Sequence, residues 1–283
     1  MNFLKRVLNF ILFGNIYVAL GAVCLIQSTA IQIRQQEQLL PYSFLVFFAT
    51  LFVYNFQRVF YKKSQDTSLN SIRRVWIFKN QQTIKLLIAI GMVGSVITFF
   101  LNDIILLLYL SPLLLLSVIY FAPFVKLRKS PWLKLLTLVF VWTMVTAVLP
   151  CLLSNSGLTE NNVLHIFIRF FFMVAICIPF DIRDLRIDKA DSVSTIPHLI
   201  GEDKARWLAF GCMLFYMILI IPEYTVGMIS LEVFIALQIA AVINSVLVLK
   251  STSRRSEYFY VAGIDGTMII QGVLLMLVYY GQQ

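Results

Sequence analysis

Charge is what this sequence has least of. Acidic residues number 14 and basic ones 23 in a chain of 283, so charged side chains make up 13% of it and hydrophobic ones 60%. A soluble globular domain carries about twice that share of charge. The mean hydropathy of +0.85 therefore places the chain among integral membrane proteins. Cysteine is scarce as well. Cys24, Cys151, Cys177 and Cys212 each lie inside an apolar stretch and form no C-x-x-C pair, which excludes a disulfide framework and a thiolate metal site and leaves reduced packing residues. The two histidines, His165 and His198, are too far apart in sequence to suggest a metal site by spacing. No polar stretch is long enough for a soluble domain. Nor is there the short apolar run and small-residue cleavage site of a removed signal peptide, so the first hydrophobic segment is expected to stay in the protein.

What is present is a series of apolar runs, each long enough to span a bilayer, at 7–31, 39–61, 84–101, 104–124, 132–153, 163–180, 206–222, 226–249 and 259–280. They predict one all-α integral membrane domain over 1–283 with nine transmembrane helices. Lys5 and Arg6 precede the first run and orient it with the N-terminus cytoplasmic, which leaves the C-terminus outside. Of the 23 Lys and Arg, only Arg34 and Arg169 then fall on the outer side. Topology thus accounts for the net charge of +9, and no nucleic-acid partner is implied. In the connector 62–83, Ile72, Val75, Trp76 and Ile77 interleave with Arg73, Arg74 and Lys79, as in a short helix lying at the headgroup level. Gly91 and Gly94, with Ser95, give the third helix a small face that lets a neighbour approach closely. Polar residues within the runs, among them Asn15, Asn55, Asn244 and Gln271, read mostly as bonds between helices. The acids sit at the predicted cytoplasmic ends of the helices, which argues against a proton-coupled transporter with carboxylates at the midplane.

One stretch differs from all the others. Between Phe180 and Gly201, directly after a long apolar run, acids and bases crowd together. On a continuous helix Asp181, Asp184, Asp188 and Asp191 fall within one arc, with Arg183, Arg186 and Lys189 to the side or opposite. Carboxylates so spaced repel one another unless a cation or a set of donors lies against them. Mg²⁺ is the natural candidate, since it is held by carboxylates with water and substrate phosphate completing its shell. The alternative is a self-paired charged helix at the surface.

The run Asp184-x-x-x-Asp188, followed by Thr195, Pro197 and Gly201, resembles the second aspartate signature of the UbiA superfamily of intramembrane prenyltransferases, with Ser192 where the family has glycine. The segment Ala122–Lys129, with Trp132, Leu133 and Lys134 after it, looks like the family's aromatic-proline turn and its Lys/Arg pair. The resemblance implies nine helices around a central cavity in which a prenyl group moves from an allylic diphosphate to a lipophilic or aromatic acceptor. It also implies an active side facing the cytoplasm, in what would be a bacterial inner membrane. By the same resemblance Asp184 and Asp188 are catalytic and, with Asp181, hold Mg²⁺, while Lys126 and Arg128 meet the substrate diphosphate.

The family's first signature is degenerate here. Its N-D-x-x-D-x-x-x-D corresponds to Asn55 through Lys63, where Phe56, Val59 and Lys63 stand in place of the three aspartates. Asn55, Val59, Lys62 and Lys63 project to one side of a helix, with Arg58 at its edge, so a wall expected to be acidic is basic and apolar. One Mg²⁺ site rather than two is therefore expected, with Asn55, Arg58, Lys62, Lys126 and Arg128 against the diphosphate. The competing expectation is a non-catalytic relative that binds a prenyl or lipid phosphate without releasing diphosphate. Asp265, at the start of the last helix, is a possible stray ligand, although acids at helix N-termini are common for dipole reasons alone.

Overall fold

A computed structural model of the chain describes residues 3–34, 39–59, 71–121, 130–154, 157, 159–190 and 193–281, and these residues are helical with short connections. A backbone in lipid must satisfy its own hydrogen bonds, and helices do so within one segment. In chain order the helices are α1 (Phe3–Phe13), α2 (Ile16–Gln32), α3 (Leu40–Val59), α4 (Ile72–Lys79), α5 (Gln81–Phe99), α6 (Leu106–Phe121) and α7 (Pro131–Thr143). They continue as α8 (Leu149–Leu153), α9 (Glu160–Arg183), α10 (Leu185–Ala190), α11 (Ile196–Ile200), α12 (Glu202–Thr225), α13 (Leu231–Leu249) and α14 (Gly266–Gly281).

Seven described helical runs are long and apolar enough to cross a bilayer, and the pair α1–α2, bent by 57°, makes an eighth. The remaining run, expected over 104–124, holds α6, described over Leu106–Phe121, and residues 122–129 after it lie outside the described residues. Among the described residues seven spans, or eight with the bent pair, thus stand against the nine expected, with α6 as a further apolar helix beside them.

Three departures from straight helices position the site. The first run is broken at Asn15, which adopts a left-handed backbone with φ 61°. Asn55 of α3 repairs the break: its Nδ2 donates to the Gly14 carbonyl at 2.9 Å and its Oδ1 accepts from Asn15 Nδ2 at 3.0 Å. Between α7 and α8, Met144–Val148 form a π turn. Pro150, two residues after the turn, has no N–H for the i−4 carbonyl and crowds it, so the widened turn relieves the helix locally. A second π turn, Phe259–Ile264, leads into α14.

Close seams hold the bundle. A Cβ on Gly91 of α5 would lie 2.6 Å from the Phe52 nitrogen of α3, and one on Gly272 of α14 would lie 2.5 Å from the Cys24 carbonyl oxygen of α2. These are approaches of helix backbones that only glycine permits. The expected small face on α5 is thus used against α3. Buried polar groups tie α2, α9 and α12 together near the start of α9. His165 Nδ1 meets Glu223 Oε1 at 3.2 Å, and Arg169 Nη2 donates to Leu25 O at 3.2 Å and Thr29 Oγ1 at 3.1 Å. α4 forms as expected, its N-cap Ser71 accepting from the Arg74 amide at 3.3 Å, with Ile72 and Val75 exposed and Arg73 turned inward.

Candidate active site in the intramembrane cavity

A cavity of about 680 Å³ opens between α2, α3, α5, α6, α7, α9 and the start of α14. Helical spacing makes its walls: Lys134, Thr137, Leu138 and Val141 form one stripe on α7, continued by Val145 in the π turn, and Val46, Thr50, Val53 and Gln57 form another on α3. Most of the lining is apolar, including Phe99 and Leu110 at the end away from Arg58 and Lys134. At the other end four cations, Arg58, Arg73, Lys134 and Arg183, share the wall with four acids, Asp181, Asp184, Asp188 and Asp265. Trp142 Nε1 donates to Tyr54 Oη at 3.1 Å and ties α7 to α3 partway along the cavity.

The acidic stripe is present, though not on the unbroken helix that the spacing suggests. α9 ends at Arg183, Asp184 caps it with φ −85° and ψ 5°, and α10 starts afresh at Leu185. The turn still brings Asp181, Asp184 and Asp188 to one cavity because the Asp188 amide donates to the Asp184 carbonyl at 2.8 Å. The cations against them come from the chain itself. Lys134 Nζ lies 2.8 Å from Asp181 Oδ1 and 2.7 Å from Asp188 Oδ2, bridging two carboxylates whose side chains are 7% and 6% exposed. Arg183 holds Asp184 with two parallel bonds, Nε to Oδ1 at 2.8 Å and Nη2 to Oδ2 at 2.6 Å. Burial alone would raise the Asp184 carboxyl, but the Arg183 guanidinium overrides it and holds the group well below the usual carboxylate range. Glu257 behaves likewise: burial opposes, and Arg73 and Arg183, each 3.7 Å away, hold it low.

The end of the motif closes the same corner. Thr195, Ile196 and Pro197 are buried at the start of α11, the Thr195 hydroxyl lies 2.7 Å from His198 Nδ1, and Gly201 takes φ 87° to turn the chain into α12. Asp191 and Ser192 lie outside the described residues.

Among the residues expected to meet a diphosphate, Arg58 lines the cavity and is braced by Asn15, its Nη2 donating to Asn15 Oδ1 at 3.1 Å. Asn55 does not line it. Its side chain is wholly buried and its amide serves the break between α1 and α2 and the Leu51 carbonyl. Asn55 therefore acts on the site through Asn15, by fixing the brace of Arg58. Lys62, Lys126 and Arg128 lie outside the described residues.

Three cations of the cavity, Arg73, Lys134 and Arg183, were not given a site role from sequence. Arg73 sits in a segment that reads as interfacial, and only the fold turns it inward. Lys134 carried a usable signal, because it heads the same i, i+3, i+4, i+7 stripe that faces the cavity.

The donors suit a hard divalent cation, which one or two carboxylates hold when phosphate completes the shell. Asp181 Oδ2 is buried without a hydrogen-bond partner among the described residues and is the oxygen open to such an ion. No group of three or more His, Cys, Asp and Glu able to hold a metal by itself occurs among the described residues.

A search among curated proteins found no match. In solved structures the chain is similar to a digeranylgeranylglyceryl phosphate synthase, at 15% identity and a TM-score of 0.57 over 98% of each chain. It is also similar to a UbiA homolog from Aeropyrum pernix K1, at 12% identity and a TM-score of 0.59 over 96% of each chain. At such identities the likeness carries the fold. A sequence profile of the UbiA prenyltransferase family matches residues 77–262, beginning after the degenerate first signature and spanning the acidic one. The chain, with the family's second signature at one end of an apolar intramembrane cavity, belongs to the UbiA prenyltransferase family.

Proposed function

We propose that the chain transfers a prenyl group from an allylic diphosphate to a lipophilic or aromatic acceptor within the membrane, with the charged end of the cavity on the cytoplasmic side. The observation that carries this reading is the cavity itself: an apolar channel, suited to an isoprenoid tail, ends among four cations and four acids. A tail in the channel places its diphosphate against Arg58 and Arg73, with Lys62, Lys126 and Arg128 proposed to complete the anion site. A single Mg²⁺ is proposed on Asp184 and Asp188 with help from Asp181, where it would add Lewis-acid stabilisation of the leaving oxygen. Lys134 keeps Asp181 and Asp188 together, and Arg183 fixes the orientation of Asp184. Preorganised charge of this kind is the main means by which a protein lowers the barrier to departure of an anion.

The carboxylates missing from the first signature leave Arg58 and its neighbours to take over part of the charge neutralisation. Membranes containing the protein, given labelled prenyl diphosphates, Mg²⁺ and a panel of phenolic and hydroxyl-bearing lipids, are expected to form a prenylated product. Asp184→Ala is expected to abolish it. Absence of any Mg²⁺-dependent product sinks the proposal. A second reading, a non-catalytic binder of prenyl or lipid phosphate, is favoured by one feature: both oxygens of Asp184 are engaged by Arg183. It predicts saturable binding of the same diphosphates with no release of inorganic diphosphate.

A further inference from the structure

Asp265 is an acid that the family motifs do not explain. It lines the charged end of the cavity at the point where the second π turn meets α14. Its amide donates to the Tyr260 carbonyl at 3.1 Å, five residues back, so the widened turn sets the direction of its side chain. A helix-capping role does not account for it, since its carboxylate makes no hydrogen bond among the described residues, and the helical backbone runs on from the preceding turn. Pairing does not account for it either. Arg183, Arg73 and Arg58 are the cations that act on it, yet Arg183 is bonded to Asp184, Arg73 is paired with Glu257 and Arg58 donates to Asn15. Tyr17, Tyr54 and Cys177 are the other titratable groups within its field. A carboxylate kept without a contact partner inside a membrane protein is costly, and its retention points to use.

We propose that Asp265 is the proton acceptor of the transfer, an assignment that rests on the transferase reading above. The C1–O bond of the allylic diphosphate breaks and its electron pair leaves with the diphosphate. A carbon or oxygen of the acceptor gives a pair to C1, and the hydrogen on that atom passes as a proton to the Asp265 carboxylate, which becomes the neutral acid. The proton then returns to water through the charged mouth. The acceptor is accordingly one that must lose a proton, a hydroxyl or an electron-rich aromatic C–H.

The test uses the full-length protein in lipid nanodiscs with labelled geranylgeranyl diphosphate and Mg²⁺, measured with and without a phenolic acceptor. D265N is expected to lose transfer by about 10²-fold or more, the usual contribution of a general base. Cleavage of the diphosphate by water in the absence of acceptor persists, which also shows that the variant folds and binds substrate. D265E is expected to recover part of the transfer. Equal loss of transfer and of acceptor-independent cleavage in D265N overturns the assignment, as does a shift in the Mg²⁺ concentration needed for half-maximal rate, which would make Asp265 a metal ligand. Failure of the wild-type protein to release diphosphate under any condition overturns the transferase reading and the assignment with it. Loss confined to the variant leaves that reading intact.

Discussion

Among single residues, Lys134 carries the most. Its ammonium is the shared counter-ion of Asp181 and Asp188, all three nearly inaccessible. Removing one partner of a buried ion pair leaves an uncompensated charge, typically at about 3–5 kcal/mol. Lys134→Met is therefore expected to lower thermal stability in detergent by that order. Lys134→Met combined with Asp188→Asn should be milder than Lys134→Met alone, because the coupled groups are neutralised together. Equal melting points for the single and double variants would show that the bridge bears no load. The pairing of Lys134 with these two acids was not legible beforehand, although its place at the head of an i, i+3, i+4, i+7 stripe was. The acids themselves were legible, since the spacing of Asp181, Asp184 and Asp188 survives the break in the helix that carries them.

Helices as elements were read from the length of apolar runs, a quantity that the bilayer fixes directly. Their interruptions were not. The left-handed Asn15, the restart after Asp184 and the turn before Asp265 each change the hydrogen bonding of a few residues, and tertiary partners such as Asn55 decide them. The small face around Gly91 was legible, its partner α3 was not, and the seam gives a prediction at this scale. Gly91→Ala places a methyl 2.6 Å from the Phe52 nitrogen, so the two backbones must part. Overpacking of this kind costs about 1–3 kcal/mol, and the thermal midpoint of the variant should fall accordingly. A midpoint equal to wild type would mean that the seam is looser than its geometry. Deleting one residue from Phe259–Ile264 should turn Asp265 by about 100° and reproduce the transfer defect of D265N.

For the whole molecule, the charged end links stability to pH. The carboxyls of Asp184 and Glu257 are both held below their ordinary values by Arg183 and Arg73. Groups with depressed folded values bind fewer protons in the fold than in the unfolded chain, so their stabilisation is complete above the ordinary carboxylate range and is lost as pH falls below it. The stabilisation from these two carboxyls should therefore stay intact from neutrality down to about pH 5 and be lost below about pH 4, near the model-peptide values, so that thermal midpoints in detergent fall there. A decline that begins near neutrality would point to other groups. Among the described residues that line the cavity four acids face four bases, so an incoming diphosphate must be met either by a metal or by bases that the acids do not already hold. The transferase reading turns on this point.

The most direct measurement is release of inorganic diphosphate from labelled geranylgeranyl diphosphate by the purified chain in nanodiscs, with and without Mg²⁺, beside Asp184→Ala. Release that requires Mg²⁺ and vanishes in Asp184→Ala is the expected result. Tight binding of the substrate with no release, or equal release from Asp184→Ala, would contradict it.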